Sequence, residues 1–135
     1  MMEVDAKILV VDDAKFMRRI LRHTLGEAGY GDIAEAENGE EALLRYRRER
    51  PDLVLLDITM PGMPGMEALS RLLALDPAAK VILCSAVGQD SVVQTAIQAG
   101  ACGFVKKPFS PQELLEAVAA ALPGTPEDRE EEREL

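Results

Sequence analysis

Two rhythms of apolar and polar residues alternate along this chain. Four short runs are almost wholly apolar: "KILVV" (7–11), "PDLVLL" (51–56), "KVILC" (80–84) and "GFV" (103–105); a weaker fifth is "DIAEA" (32–36). Runs this short, bounded by charged or turn residues, predict strands, and near-continuous apolar character predicts burial on both faces. The stretches between them repeat every three or four residues, as helices do. Phe16, Met17, Ile20, Leu21, Thr24 and Leu25 fall on one helical face, with Gly29 as a C-cap. "NGEE" (38–41) has the form of a helix start, with Ala42, Leu43 and Tyr46 facing inward. Met66, Leu69, Leu72 and Leu73 define a third stripe, ending before Pro77; Val92, Val93, Ala96 and Ile97 define a fourth, ending near Gly100. "SPQE" (110–113) offers Ser110 as N-cap, Pro111 at the first helical position and Glu113 two residues on, before Leu114, Leu115, Val118 and Leu122. Five strand–helix units in series predict an α/β fold: a parallel sheet with helices on both faces and right-handed crossovers.

Length and composition narrow this further. At 135 residues with 47% hydrophobic content, the chain predicts one globular domain, placed at 1–122. Residues 123–135, ending "EDREEEREL", predict a solvated, flexible acidic tail, too short for a stable isolated helix. The apolar runs fall far short of the ~20 residues a membrane span needs, and "MMEVDAK" lacks the form of a secretory signal. Cys84 and Cys102 lack metal-ligand spacing and are expected to be small buried residues in a reducing compartment, so a cytoplasmic location is expected. A net charge of −9 argues against binding DNA, which needs Lys and Arg against phosphate.

Chemistry concentrates at the C-terminal ends of the predicted strands. Counted in chain order with 32–36 as the second, the first run ends at Asp12 and Asp13, the third at Asp57, the fourth at Ser85 and the fifth at Lys106 and Lys107. Open α/β sheets bind ligands outside this edge, where strand order reverses. With the first strand central and the third beside it, three carboxylates would converge. Alone they would repel, and a divalent cation reverses that logic. Oxygen-only donors suit Mg²⁺, which binds through one or two carboxylates and leaves positions for phosphate oxygens. Lys107 adds positive charge and Ser85 a hydroxyl donor, so the set fits a phosphoryl group, with Asp57 as the nucleophile. Each residue also has an ordinary explanation: a helix cap for Asp12 and Asp13, a turn opener for Asp57, a core hydroxyl for Ser85, a solvated charge for Lys107. Their arrival at one edge favours the chemical reading. His23 is expected at the surface.

"ILVVDDAKFMR", "DLVLLDITMPGMPGMEAL", "VILCSA" and "GFVKKPF" together resemble the receiver domains of two-component response regulators, over about residues 5–122. The wording is most similar to the single-domain chemotaxis (CheY-like) type. The resemblance implies strand order 2-1-3-4-5, a flavodoxin-like arrangement. It implies Asp57 as phosphoacceptor and metal ligand, Asp13 as a direct Mg²⁺ ligand, Asp12 as one acting largely through water, and the Thr59 carbonyl as a further metal ligand. It implies that Lys107, before a cis Pro108, touches the phosphoryl group, that Ser85 is the switch hydroxyl and that Phe104 is the switch aromatic. Ala86 would leave room for a phosphodonor. Thr59 and Val87 flank the site, and an apolar Val87 would lengthen phosphoryl lifetime because it cannot orient the attacking water.

The implied partners are a sensor histidine kinase and a flagellar motor switch or other protein target. Phosphorylation would reshape the surface of the fourth helix, fifth strand and fifth helix. The implied activity is signalling with weak self-phosphorylation and autodephosphorylation. A haloacid-dehalogenase-type phosphatase is the enzymatic alternative, but it needs an acidic residue where Thr59 stands. A DNA-binding regulator and a receiver that only docks are further alternatives, opposed by the charge and by the intact residue set.

Overall fold

The computed structural model describes residues 4–86 and 90–122. In chain order the elements are β1 (Val4–Val11), α1 (Lys15–Glu27), β2 (Tyr30–Ala36), α2 (Gly39–Glu49), β3 (Leu53–Asp57), α3 (Gly65–Leu75), β4 (Val81–Ser85), α4 (Asp90–Gln98), β5 (Gly103–Lys106) and α5 (Pro111–Ala121). The strands form one sheet in the order β2-β1-β3-β4-β5, with every neighbouring pair parallel. This is the flavodoxin-like order expected from the resemblance. The predicted acidic tail at 123–135 and Val87 lie outside the described residues.

Side-chain alternation along the strands divides the core into two layers. Ile8, Val10, Leu53, Leu55, Ile82 and Val105 pack with Leu21 and Leu25 of α1 and Leu114 and Val118 of α5. Leu9, Val11, Val54, Leu56, Val81 and Leu83 point the other way, against Tyr46 of α2, Leu69 and Leu72 of α3 and Ala96 of α4. All five residues of β3 and all five of β4 are buried, which explains why those runs read as continuously apolar. Fully burying each such Leu or Ile stabilises the fold by roughly 1.5–3 kcal/mol before entropy is counted.

The caps follow the sequence. The Asn38 side chain accepts the Glu41 N–H at 2.8 Å, and Ser110 Oγ accepts the Glu113 N–H at 3.1 Å, with Pro111 opening α5. Gly29, just past α1, has φ +98°, a left-handed conformation that suits glycine.

Three expectations need correction. Phe16 is not on the buried face of α1; it is 74% exposed. At about 100° per residue, it lies about 130° from the centre of the stripe formed by Met17, Leu21, Thr24 and Leu25. Ile97 is 54% exposed, because Ala96 takes the inward position on α4. Cys102 is exposed in the turn between α4 and β5, whereas Cys84 is buried on β4 as expected; both are free thiols. His23 is exposed on α1.

Candidate functional site

The sheet register brings the strand ends together. Val11 pairs with Leu56, so Asp12, one residue past β1, lies level with Asp57 at the end of β3. Asp57 pairs with Cys84, and Ser85 pairs with Lys106. Reversal of strand order happens at β1, where the chain leaves for β2 on one side and returns to β3 on the other. That opens a crevice between two strand ends, and Asp12, Asp13 and Asp57 meet there. Each offers a carboxylate oxygen, and these oxygens all lie within 4.8 Å of one another. Asp12 and Asp57 are buried, with 2% and 6% exposure, while Asp13 is open to solvent.

Lys107 supplies the opposing charge. Its Nζ is 2.7 Å from Asp12 Oδ2 and 3.7 Å from Asp57 Oδ2. Lys106 is exposed, so of the two lysines it is Lys107 that faces the carboxylates. Its N–H donates to the Ser85 carbonyl at 2.8 Å, and the Lys107–Pro108 peptide is cis. Other backbone donors order the cluster. The Ala14 N–H bonds Asp12 Oδ1 at 2.9 Å, and the Thr59 N–H bonds Asp57 Oδ1 at 3.1 Å.

The electrostatics are those of crowded, half-compensated charge. Burial pushes the Asp57 pKa up, and Asp12 and Asp13 push the same way; Lys107 and the Thr59 N–H oppose them without cancelling the rise. For Lys107, burial disfavours the ammonium, but the Asp12 hydrogen bond and the charges of Asp12 and Asp57 outweigh it, so its pKa is raised. Burial pushes the Cys84 thiol up to about 12, so it is no nucleophile at neutral pH.

Ser85 is fully buried beside this edge, and Ala86 and Thr59 are exposed at its rim. Phe104 is partly buried on β5 and packs against the core layer shared with α2, α3 and α4. Pro108 is exposed. Two residues that the sequence did not single out border the cluster. Gly65 opens α3 directly against the end of β3, and a Cβ there would meet the Asp57 carbonyl oxygen at 2.4 Å. The sequence does not say which glycine of "PGMPG" is constrained. Arg18 on α1 bonds the Asp12 backbone carbonyl at 2.6 Å, and nothing in the helical stripe marks it out from Arg19 or Arg22.

The donor set fits a hard divalent cation: carboxylate oxygens only, one residue solvent-facing, all within 4.8 Å of one another. Comparison with known proteins agrees. Residues 8–119 match the family model described as the response regulator receiver domain. The chain is 50% identical over 115 residues to a chemotaxis protein CheY of Listeria monocytogenes, covering 85% of this chain and 97% of that one. It is 39% identical over 120 residues to the sporulation initiation phosphotransferase F of Bacillus subtilis, covering 89% and 96%. A solved Borrelia burgdorferi structure, the CheX–CheY–BeF3–Mg²⁺ complex, superposes with a TM-score of 0.83 at 35% identity, covering 85% of this chain and 87% of that one.

Proposed function

This chain belongs to the response regulator receiver domain family, and from that premise we propose that it is a phosphoacceptor switch, taking a phosphoryl group from a sensor histidine kinase onto Asp57. The observation that carries the reading is the close set of Asp12, Asp13 and Asp57 with the Lys107 ammonium against it.

Asp57 Oδ attacks phosphorus, the bond from phosphorus to the donor's histidine nitrogen breaks, and that nitrogen keeps the electron pair. The Thr59 N–H already holds Asp57 Oδ1, which leaves the other oxygen to attack. Asp12 and Asp13, with the Thr59 carbonyl, would hold Mg²⁺, whose charge offsets that gathering on the phosphoryl oxygens. Lys107 moves from carboxylate to phosphoryl oxygen, a short shift for a flexible ammonium already 3.7 Å from Asp57. Thr59 stands where a phosphatase would need a general acid, so the domain is a signalling module and not a turnover enzyme.

The added phosphoryl charge demands donors. Ser85 answers it from β4, and Phe104 takes up the space that Ser85 leaves. The faces of α4, β5 and α5 then change together for a protein partner to read. Chemotaxis is the favoured pathway, with a flagellar motor switch as target, because the CheY relative is 50% identical where the sporulation relative is 39%. Residues 1–122 would be the receiver, residues 123–135 an acidic appendage, and the site of action the cytoplasm. No helix among the described residues is long and apolar enough to cross a membrane.

Incubation with acetyl phosphate, with and without Mg²⁺, tests the core of this. Intact mass should rise by one phosphoryl group only with Mg²⁺, and Asp57→Asn should abolish the adduct. An adduct that survives Asp57→Asn, or none on the wild type, would refute the assignment.

A further inference from the structure

A second charged network stands behind the carboxylates, and the phosphoryl reading gives it no role. The Arg18 side chain on α1 is only 12% exposed. Its Nη1 donates to the Asp12 carbonyl oxygen at 2.6 Å, and its Nε donates to Glu35 Oε1 at 3.0 Å. Glu35, on β2, is gripped from the other side by Arg22, whose Nε donates to Oε2 at 3.1 Å. Arg22 is anchored in turn, with Nη2 donating to the Ile33 carbonyl at 3.1 Å. Burial acts to raise the Glu35 pKa, but the hydrogen bonds and charges of Arg18 and Arg22 outweigh it and hold the carboxylate ionised.

The oxygen that Arg18 holds belongs to the peptide unit joining Asp12 to Asp13. That unit is planar, so fixing its carbonyl fixes ψ of Asp12 and φ of Asp13 at once. The preceding unit is fixed as well, since the Asp12 N–H donates to the Ala36 carbonyl at 3.1 Å. Asp12 has its own carboxylate partners in Ala14 and Lys107. Asp13 is exposed, and the backbone that carries it sets where its Cβ points.

We infer that Arg18 is a positioning residue for the cation site: held by Glu35 of β2, it sets the Asp12–Asp13 peptide and so aims the Asp13 carboxylate. The inference rests on the proposed cation reading of the carboxylates. It makes a prediction whose sign opposes simple electrostatics. A guanidinium acting by charge alone repels a cation, so its loss would tighten Mg²⁺ binding. Loss of positioning weakens it.

The test is calorimetric titration of Mg²⁺ into the metal-free full chain, with no phosphodonor present. Arg18→Gln is expected to weaken Mg²⁺ affinity by about 10-fold or more, as loss of a partner that orients metal ligands does. Arg18→Lys keeps the charge but lacks the planar fork that reaches both oxygens, and is expected to weaken binding similarly. Arg19→Gln removes an exposed arginine of the same helix that bonds neither Asp12 nor Glu35; it controls for charge and should bind Mg²⁺ much as the wild type does. Wild-type or tighter affinity in Arg18→Gln, or full restoration by lysine, would overturn the inference. Should Arg18→Gln fail to fold, Glu35→Ala removes the acceptor on the far side of the guanidinium, and unchanged affinity there is equally fatal. A wild type that binds no Mg²⁺ sinks the proposed function and this inference together; a wild type that binds, beside an unaffected Arg18→Gln, sinks this inference alone.

Discussion

Replacing Gly65 by alanine adds one methyl group where the start of α3 crosses the end of β3. The new Cβ would lie 2.4 Å from the Asp57 carbonyl oxygen and 2.5 Å from Ile58 Cα, against an ordinary contact of 3.4–4 Å. Relief needs a shift of about 1 Å, and only backbone is there to give way. That backbone is tied on both sides, by the Ile58 N–H to the Cys84 carbonyl at 3.2 Å and the Gly65 N–H to the Ile58 carbonyl at 2.9 Å. Overpacking of this kind costs about 3 kcal/mol at the upper end of its usual range. Alanine's better helix propensity returns at most about 1 kcal/mol. The net loss is then about 2 kcal/mol, or about 6–10 °C in Tm for a domain of this size. A displacement of about 1 Å at Asp57 also costs phosphorylation by acetyl phosphate about 100-fold in rate. Gly26 in α1 is the control, since a Cβ there meets nothing within 4 Å. Gly26→Ala should stabilise by about 0.5–1 kcal/mol through unfolded-state entropy alone. Urea unfolding followed by far-UV circular dichroism reads both. Stability at or above wild type for Gly65→Ala, or shifts of the same sign in the two variants, would refute the steric argument.

Lys107→Ala leaves Asp12 and Asp57 facing each other without their cation, and should destabilise the metal-free protein by about 3 kcal/mol. Mg²⁺ should then raise the Tm of this variant by more than it raises the wild type's; equal increments would count against a shared site. Asp57→Asn should stabilise the metal-free protein near pH 7. The folded pKa of Asp57 is raised, so wild-type stability is fully present below the ordinary carboxylate range and falls as pH rises through the folded value. The advantage of Asn should therefore vanish in acid, and an advantage independent of pH in urea melts would exclude this cause. Asn38→Ala removes the acceptor of the Glu41 N–H and should cost about 1 kcal/mol, checked by the same unfolding curves.

Much of this architecture was legible because it rests on local patterning. Continuous apolar runs marked β1, β3 and β4 as buried on both faces, and Asn38 and Ser110 announced their helices. Where local pattern competed with its neighbours, it misled. Phe16 and Ile97 share an apolar character with their stripes, but Phe16 stands well off the centre of its stripe and Ala96 takes the inward position beside Ile97. Cys102 looked like a core residue from its chemistry, yet a turn carries it into solvent.

By itself, the chain's order of residues determined the alternation of strand and helix, the caps, and which side chains stand at the strand ends. Periodicity is a property of neighbours, so neighbours suffice to read it. The place of β1 between β2 and β3 was legible through the family resemblance, whereas only the tertiary structure decided that Lys107 bonds Asp12 across 95 positions and that Gly65 has no room for a methyl group. The bridge from Glu35 through Arg18 to the Asp12 carbonyl is of the same kind. Lys107 and Asp12 meet only when the crossovers close, and even partners as near in sequence as Arg18 and Asp12 are set by how α1 sits against the end of β1, which no periodicity records.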